Sequence, residues 1–270
     1  MPEFFYFSGF CSGEISCSLL KLSNRKSKIG GVYYTPDITI TNSDYSLLRE
    51  INHVVCENLG VISKVKGAFN LSMRGKRKVK KVLNFFALYP PIAGDLVLSR
   101  LYLISKSIEV LESQKEHKRS SAQELKLKEI RTQLSQVKIK AFPISEFRQQ
   151  IFSQDAIGYF LAGVLDAEGS IGIKANRNRG QPFVAVAMKD GKIIKLFKNF
   201  FQMGNIHIRP KEKMIHFEIG ARAQVLKALE IFTKVYPVKM EKTKKRIKKV
   251  QRILNDYTLG PIPWRVWNKI

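Results

Sequence analysis

Residues 160–174, FLAGVLDAEGSIGIK, run an apolar stretch of small side chains into two acids, Asp166 and Glu168, and leave through Gly169. Carboxylates are ligands for hard cations such as Mg²⁺, which also take water and phosphate oxygens, and two held close repel unless a cation lies between them. Alone, Glu168 reads as an ordinary helix-end carboxylate. It is not alone. FYFSGFCSGEIS (5–16) aligns with YFLAGVLDAEGS (159–170) at an offset of 154, matching Gly9 with Gly163, Glu14 with Glu168 and Ser16 with Ser170, with Gly13 opposite Ala167.

The elements that must position these acids also repeat. After each acid come two strand-like segments, a helix, an apolar residue followed by glycine (Leu59-Gly60 and Met203-Gly204), a turn-linked strand pair, a short helix and a Tyr-Pro (Tyr89-Pro90 and Tyr236-Pro237). The order α-β-β-α-β-β-α occurs twice. Ile171, Ile173 and Ala175 alternate with Ser170, Lys174 and Asn176. Ile206 and Ile208 alternate with His207 and Arg209, and Ile215, Phe217 and Ile219 with His216 and Glu218. In the first half Phe69, Leu71 and Met73 alternate with Asn70, Ser72 and Arg74, whereas SCSLLKLS (16–23) is irregular and suggests a bulge near Leu20. Period-two alternation predicts sheets with one face packed on helices and one open to solvent or ligand. The domains expected are a first repeat over 1–104, a solvated helical connector over 105–153 with Ser120-Ser121 as break or cap, a second repeat over 154–255, and a tail over 256–270 that packs back on the body.

Composition narrows the partner. Against 22 Asp and Glu stand 47 Lys and Arg, a net charge of +25. Such an excess suits a polyanion whose phosphates shed counterions on binding, so nucleic acid is expected and a membrane is not. Cys11, Cys17 and Cys56 form no C-x-x-C pair, and the four histidines no H-x-x-x-H, which points to a reducing intracellular setting without zinc. No apolar run approaches the ~18 residues of a membrane span. The opening Met1-Pro2-Glu3-Phe4-Phe5 reads as folded sequence rather than a targeting peptide. Abundant Lys, Ile, Phe, Ser and Asn hint at an AT-rich genome, organellar or prokaryotic.

LAGVLDAEG (161–169) resembles the LAGLIDADG motif of homing endonucleases, keeping Leu161, Ala162, Gly163, Asp166, Ala167 and Gly169 and changing Val164, Leu165 and Glu168 conservatively. The resemblance extends over 4–104 and 154–255. FSGFCSGEI (7–15) is the degenerate first copy, with Ser12 in place of Asp166 and Ile15 in place of the glycine. It implies an α+β fold of two pseudo-symmetric α-β-β-α-β-β-α repeats, packed through paired motif helices, with two antiparallel sheets forming a DNA-binding saddle. A physical argument agrees. Gly9 and Gly13, like Gly163 and Ala167, are four apart and share a helix face, where small residues let two backbones approach, so Glu14 and Glu168 would converge.

The activity implied is Mg²⁺-assisted hydrolysis of a phosphodiester in each strand of double-stranded DNA by a monomer encoded in a mobile intron or intein-like element. Glu14 and Glu168 would hold metal, helped by the carbonyls of Gly13 and Ala167. The family's basic residue near the scissile phosphate maps to Lys239 or Lys242, with Lys242 preferred. Asp95 stands near that position in the first half and suggests asymmetric active sites. Asp166 is expected to be structural, capping or pairing. Strand parity and hairpin tips nominate DNA-facing residues Arg25, Lys28, Tyr34, Thr39, Asn70, Ser72 and Arg74 in the first half. In the second they are Lys174, Asn176, Arg177, Arg179, Gln181, His207 and Arg209. Each could instead touch phosphate or solvent. The target would be long and loosely palindromic. The alternatives are an intron maturase binding RNA on the same fold and a non-cleaving DNA-binding protein; two intact acids favour the nuclease.

Overall fold

The structure is a computed structural model, and it describes residues 1–24, 31–113, 120–137, 151–176, 179–209, 214–257, 260–263 and 266. After a 3-10 turn, the first half runs α1 (Phe5–Glu14), β1 (Ile15–Asn24), β2 (Gly31–Asn42), α2 (Tyr45–Val54), β3 (Val61–Val65), β4 (Ala68–Arg74) and α3 (Lys76–Leu88). Helices α4 (Asp95–Glu112) and α5 (Ser121–Gln136) follow. The second half runs α6 (Gln154–Glu168), β5 (Gly169–Asn176), β6 (Arg179–Met188), α7 (Gly191–Phe201), β7 (Asn205–Arg209), β8 (Met214–Ile219) and α8 (Arg222–Glu230). A π-helical turn (Ile231–Val235) and α9 (Glu241–Asp256) complete it. The doubled α-β-β-α-β-β-α order is the one the sequence implies. Among the described residues, no helix is long and apolar enough to cross a membrane.

The chain divides into two compact units. One comprises Glu14–Pro90 and Asp95–Gln150 and contains the antiparallel sheet β1-β2-β4-β3. Ile38, Ile40, Leu71 and Met73 turn one face of this sheet inward, where they are fully buried on the side that α2, α3 and α4 cover. β1 pairs with β2 in unbroken register from Ile15↔Ile40 to Asn24↔Gly31, so the bulge expected near Leu20 is not there. Ile15, Cys17 and Leu19 are buried, and Leu20 falls on the other face, only half-buried. An apolar residue on the outer face had disguised a regular alternation.

The connector is not merely solvated. Helix α4 crosses residue 105 and packs on α5, and both lie against β1. Ile104, Ile108, Leu111, Leu127, Ile130 and Leu134 are buried, an apolar stripe at helical spacing among charged neighbours. Ser120 caps α5 in a reciprocal capping box with Gln123.

The other unit comprises Met1–Gly13, Pro91–Gly94 and Ile151–Ile270 and contains the sheet β5-β6-β8-β7. Ile171, Val184, Val186, Phe217 and Ile219 bury its inner face. β7 is an edge strand, and Ile208, although on that face, is 71% exposed. The tail returns as expected in its described part: Ile262 is buried and its carbonyl accepts from the Gly180 amide at 2.6 Å.

All three cysteines are free and buried. Burial pushes the Cys17 thiol up to about 12, with Arg100 opposing and Asp37 adding to the shift, and it pushes Cys56 to about 12 as well. Native protein should therefore react negligibly with a thiol reagent at neutral pH and release three equivalents on unfolding. Rapid labelling of native Cys17 or Cys56 would contradict this burial.

Candidate functional site

Helices α1 and α6 run parallel and share a glycine contact. A Cβ on Gly9 would collide with the Phe160 carbonyl oxygen, and one on Gly163 with the Tyr6 carbonyl oxygen. Only glycine permits backbones this close. Toward the helix ends, a Cβ on Gly13 would lie 2.8 Å from the Ala167 Cβ and 2.8 Å from Glu168 Cγ. The Glu168 side chain thus lies against Gly13, at the end of α1. Glu168 itself is exposed, on the last position of α6.

Glu14 ends α1 and is half-buried; its Oε1 accepts from Asn42 Nδ2 at 2.9 Å. Burial raises its carboxyl above the usual carboxylate range, and the Asn42 hydrogen bond pulls the other way. An acid that burial discourages from ionising, although a donor favours the charged form, suits a place beside a cation. Hard oxygen donors are also the ligand type that Mg²⁺ takes. Among the described residues no three His, Cys, Asp or Glu gather into a full ligand set. Phosphate and water oxygens would have to complete one.

Asp166 is structural, as expected, and its role is specific. Its Oδ2 accepts from the Tyr6 hydroxyl at 2.6 Å and from the backbone amides of Lys239 at 2.6 Å and Met240 at 3.0 Å. Met240 is the N-cap of α9 and supplies no side-chain cap. Asp166 therefore caps α9 from another helix. Its counterpart Ser12 instead donates to the Ser8 carbonyl at 2.8 Å.

Burial raises the Asp166 carboxyl; Thr243, Tyr6 and the two amides oppose it. A folded value above the unfolded one means the protonated form is favoured by folding. The associated stability is full below the unfolded value of about 4 and is lost as pH rises through the folded one. Relative to Asp166→Asn, wild type should lose stability as pH climbs from about 4 toward neutrality. Urea unfolding across that range tests the sign, and a wild-type advantage that grows with pH would refute it.

The cap brings the start of α9 to the motif helices. Lys239 Nζ lies over the rings of Tyr6 and Phe7, at 5.4 and 5.1 Å. Lys242 is exposed in the first turn of α9. Asp95 opens α4, as Glu241 opens α9.

Thr39, Asn70, Ser72 and Arg74 stand on the outer face of the first sheet, opposite in parity to its buried residues. Tyr34 does not. It shares the parity of Ile38 and Ile40, is 5% exposed, and donates to Glu124 of α5 at 2.9 Å. β2 is regular strand from Gly31 on, so parity rather than nearness to the hairpin sets its direction. In the second sheet Lys174, Asn176, Arg179, Gln181, His207 and Arg209 all occupy the outer face. Arg25, Lys28 and Arg177 lie outside the described residues.

Residues not anticipated from the sequence link side chains within each face. Thr41 donates to Asn70 at 2.7 Å, and Asn176 to Gln181 at 3.0 Å. Glu218 pairs with Lys174, and Asp37 with Arg74 at 3.3 Å. A polar concavity where the second sheet's outer face meets the end of α7 and the start of α8 is lined by Gln181, Asn205, His207 and Glu218 together with Lys198, Gln202 and Gln224. The signal for the acids was available: Asp37 and Glu218 have the parity opposite to the buried residues of their strands.

Solved structures of other proteins share this fold, I-GzeII, I-SmaMI and I-CpaMI among them. The homing endonuclease I-GzeII in complex with its DNA target aligns at TM-score 0.75 and 20% identity, covering 93% of this chain and 89% of that one. I-SmaMI, bound to uncleaved DNA in the presence of calcium ions, aligns at 0.75 and 17%, covering 94% and 92%. I-CpaMI bound to uncleaved DNA aligns at 0.72 and 19%, covering 94% and 92%. No curated protein matches the sequence significantly. Residues 7–95 and 161–259, most of the chain and both copies of the repeat, match the LAGLIDADG endonuclease family, to which the chain therefore belongs.

Proposed function

We propose that the protein is a site-specific, metal-dependent endonuclease that cuts both strands of a long, loosely palindromic DNA target. The observation that carries this reading is the glycine-mediated pairing of two helices that each end in a motif glutamate, in a chain of net charge +25. I-GzeII and I-SmaMI, of the same fold, hold DNA targets. Glu14 and Glu168, with the carbonyls of Gly13 and Ala167, supply hard oxygen donors suited to Mg²⁺. A divalent cation, when bound, activates water and neutralises the scissile phosphate. Asn42 orients Glu14. Lys242 approaches the phosphate from the first turn of α9, which Asp166 holds in place. Asp95 aligns with Lys242 when the two Tyr-Pro steps are matched, although it opens α4 as Glu241 opens α9, and the first half has no lysine at that turn, which makes the two strand-cutting sites unequal. The outer faces of the two sheets read the half-sites, one through the face that carries Thr39, Asn70, Ser72 and Arg74 and the other through the face that carries Lys174, Asn176, Arg179, Gln181, His207 and Arg209. Paired strands fit the major groove.

The test is to incubate the protein with a diverse duplex library in Mg²⁺ and map the new ends. Double-strand breaks at one long shared sequence, abolished by chelation, are expected. Uncut DNA with one enriched bound site would make the protein a reader without chemistry, and cutting without sequence preference would refute site specificity.

A further inference from the structure

The outer face of the first sheet carries a carboxylate at its centre. Asp37 is on β2, one of the two inner strands of the sheet, and its side chain is only 10% exposed. Three side chains converge on it. Ser72 donates to Oδ1 at 3.2 Å, Thr39 to Oδ2 at 3.2 Å, and Arg74 Nε to Oδ1 at 3.3 Å. In a chain of net charge +25 this placement runs against simple polyanion affinity. A carboxylate repels phosphate and cancels the charge of the arginine beside it, so a face that needed only backbone affinity would be better without it. What the acid supplies is geometry.

The contact is made by Nε alone. The Arg74 side chain is 59% exposed, and among the described residues its two terminal nitrogens have no protein partner. A guanidinium held by Nε and free at its terminal edge is oriented for bidentate donation, the pattern that matches the O6 and N7 acceptors of guanine. Ser72 and Thr39 spend their hydroxyl protons on Asp37, which fixes the acid that fixes the arginine.

We propose that Asp37 is a positioning residue for base recognition, holding Arg74 so that it reads one guanine in the half-site contacted by the first sheet. The assignment rests on the DNA-reading function proposed above. It makes Arg74 a base reader rather than a phosphate contact, and gives Thr39 and Ser72 a supporting part in place of direct contact with bases.

The test sequences the bound fraction of a randomised duplex pool, in Ca²⁺, for wild type, Asp37→Asn, Arg74→Lys and the double variant. Arg74→Lys keeps the charge and alters an exposed side chain, so it reports even if Asp37→Asn folds poorly. Both single variants should lose the preference for one guanine by about tenfold or more while the rest of the site is retained. The double variant should be no worse than either single. Unchanged guanine preference in the variants, or a loss spread evenly over all positions, overturns the inference while leaving DNA recognition intact. A wild-type pool with no enriched sequence overturns the DNA-reading function itself, and the inference with it.

Discussion

Replacing Glu168 by glutamine is expected to lower double-strand cutting at least about a thousandfold, ~4 kcal/mol in barrier height, and Glu14→Gln to act similarly. DNA affinity should stay within about threefold or tighten, because at the proposed site each substitution would remove a negative charge that opposes the phosphates. Shape is nearly conserved, and Glu168 is exposed at a helix end, so stability should hardly move. For Glu14 the amide can still accept from Asn42. Single-turnover cleavage measured beside equilibrium binding in Ca²⁺ separates the two effects. Cutting that survives either substitution would remove that acid from the chemistry. Cutting and binding lost in parallel would mean that the change acted through folding instead.

The second large effect is on the fold. Gly163→Ala in an unconstrained helix would gain about 1 kcal/mol from propensity. Here the added methyl meets the Tyr6 carbonyl oxygen and, at 2.6 Å, the Phe10 amide nitrogen, both backbone atoms fixed in α1. They cannot swing aside as a side-chain tip could. The overlap must be relieved by parting two buried helices, which should cost at least about 4 kcal/mol, and the steric term wins over propensity. Gly9→Ala meets the Phe160 carbonyl in the same way. Denaturant unfolding should show a midpoint far below wild type for either variant. A stabilised Gly163→Ala would show that the helices do not approach as described.

The effects have different origins in the chain. The repeat, the strand alternation and the glycine spacing are local patterns, and they predicted the element order, the inner faces of both sheets and the close helix pair. They are readable because a side chain's direction follows from its own strand or helix period. Leu20 misled only by putting an apolar residue on an outer face. Tyr34 departs from the expected DNA-facing set because it keeps the inward strand period of Ile38 and Ile40.

Other features depend on partners far apart in sequence. Asp166 caps a helix that begins more than seventy residues later, and Tyr34 turns to Glu124, ninety residues on. Asn42 reaches Glu14 across a hairpin, and Asp37 gathers Ser72 and Arg74 from another strand. The stretch after residue 105 reads as a charged connector until α4 and α5 bury their stripes together against β1. The sequence by itself determined the family motif, the acids and the alternation, because these are properties of residue type and period. Only the tertiary structure decided which polar groups meet, because hydrogen bonds and helix caps require atoms within about 3 Å, and the register that brings them there is a property of the packed whole.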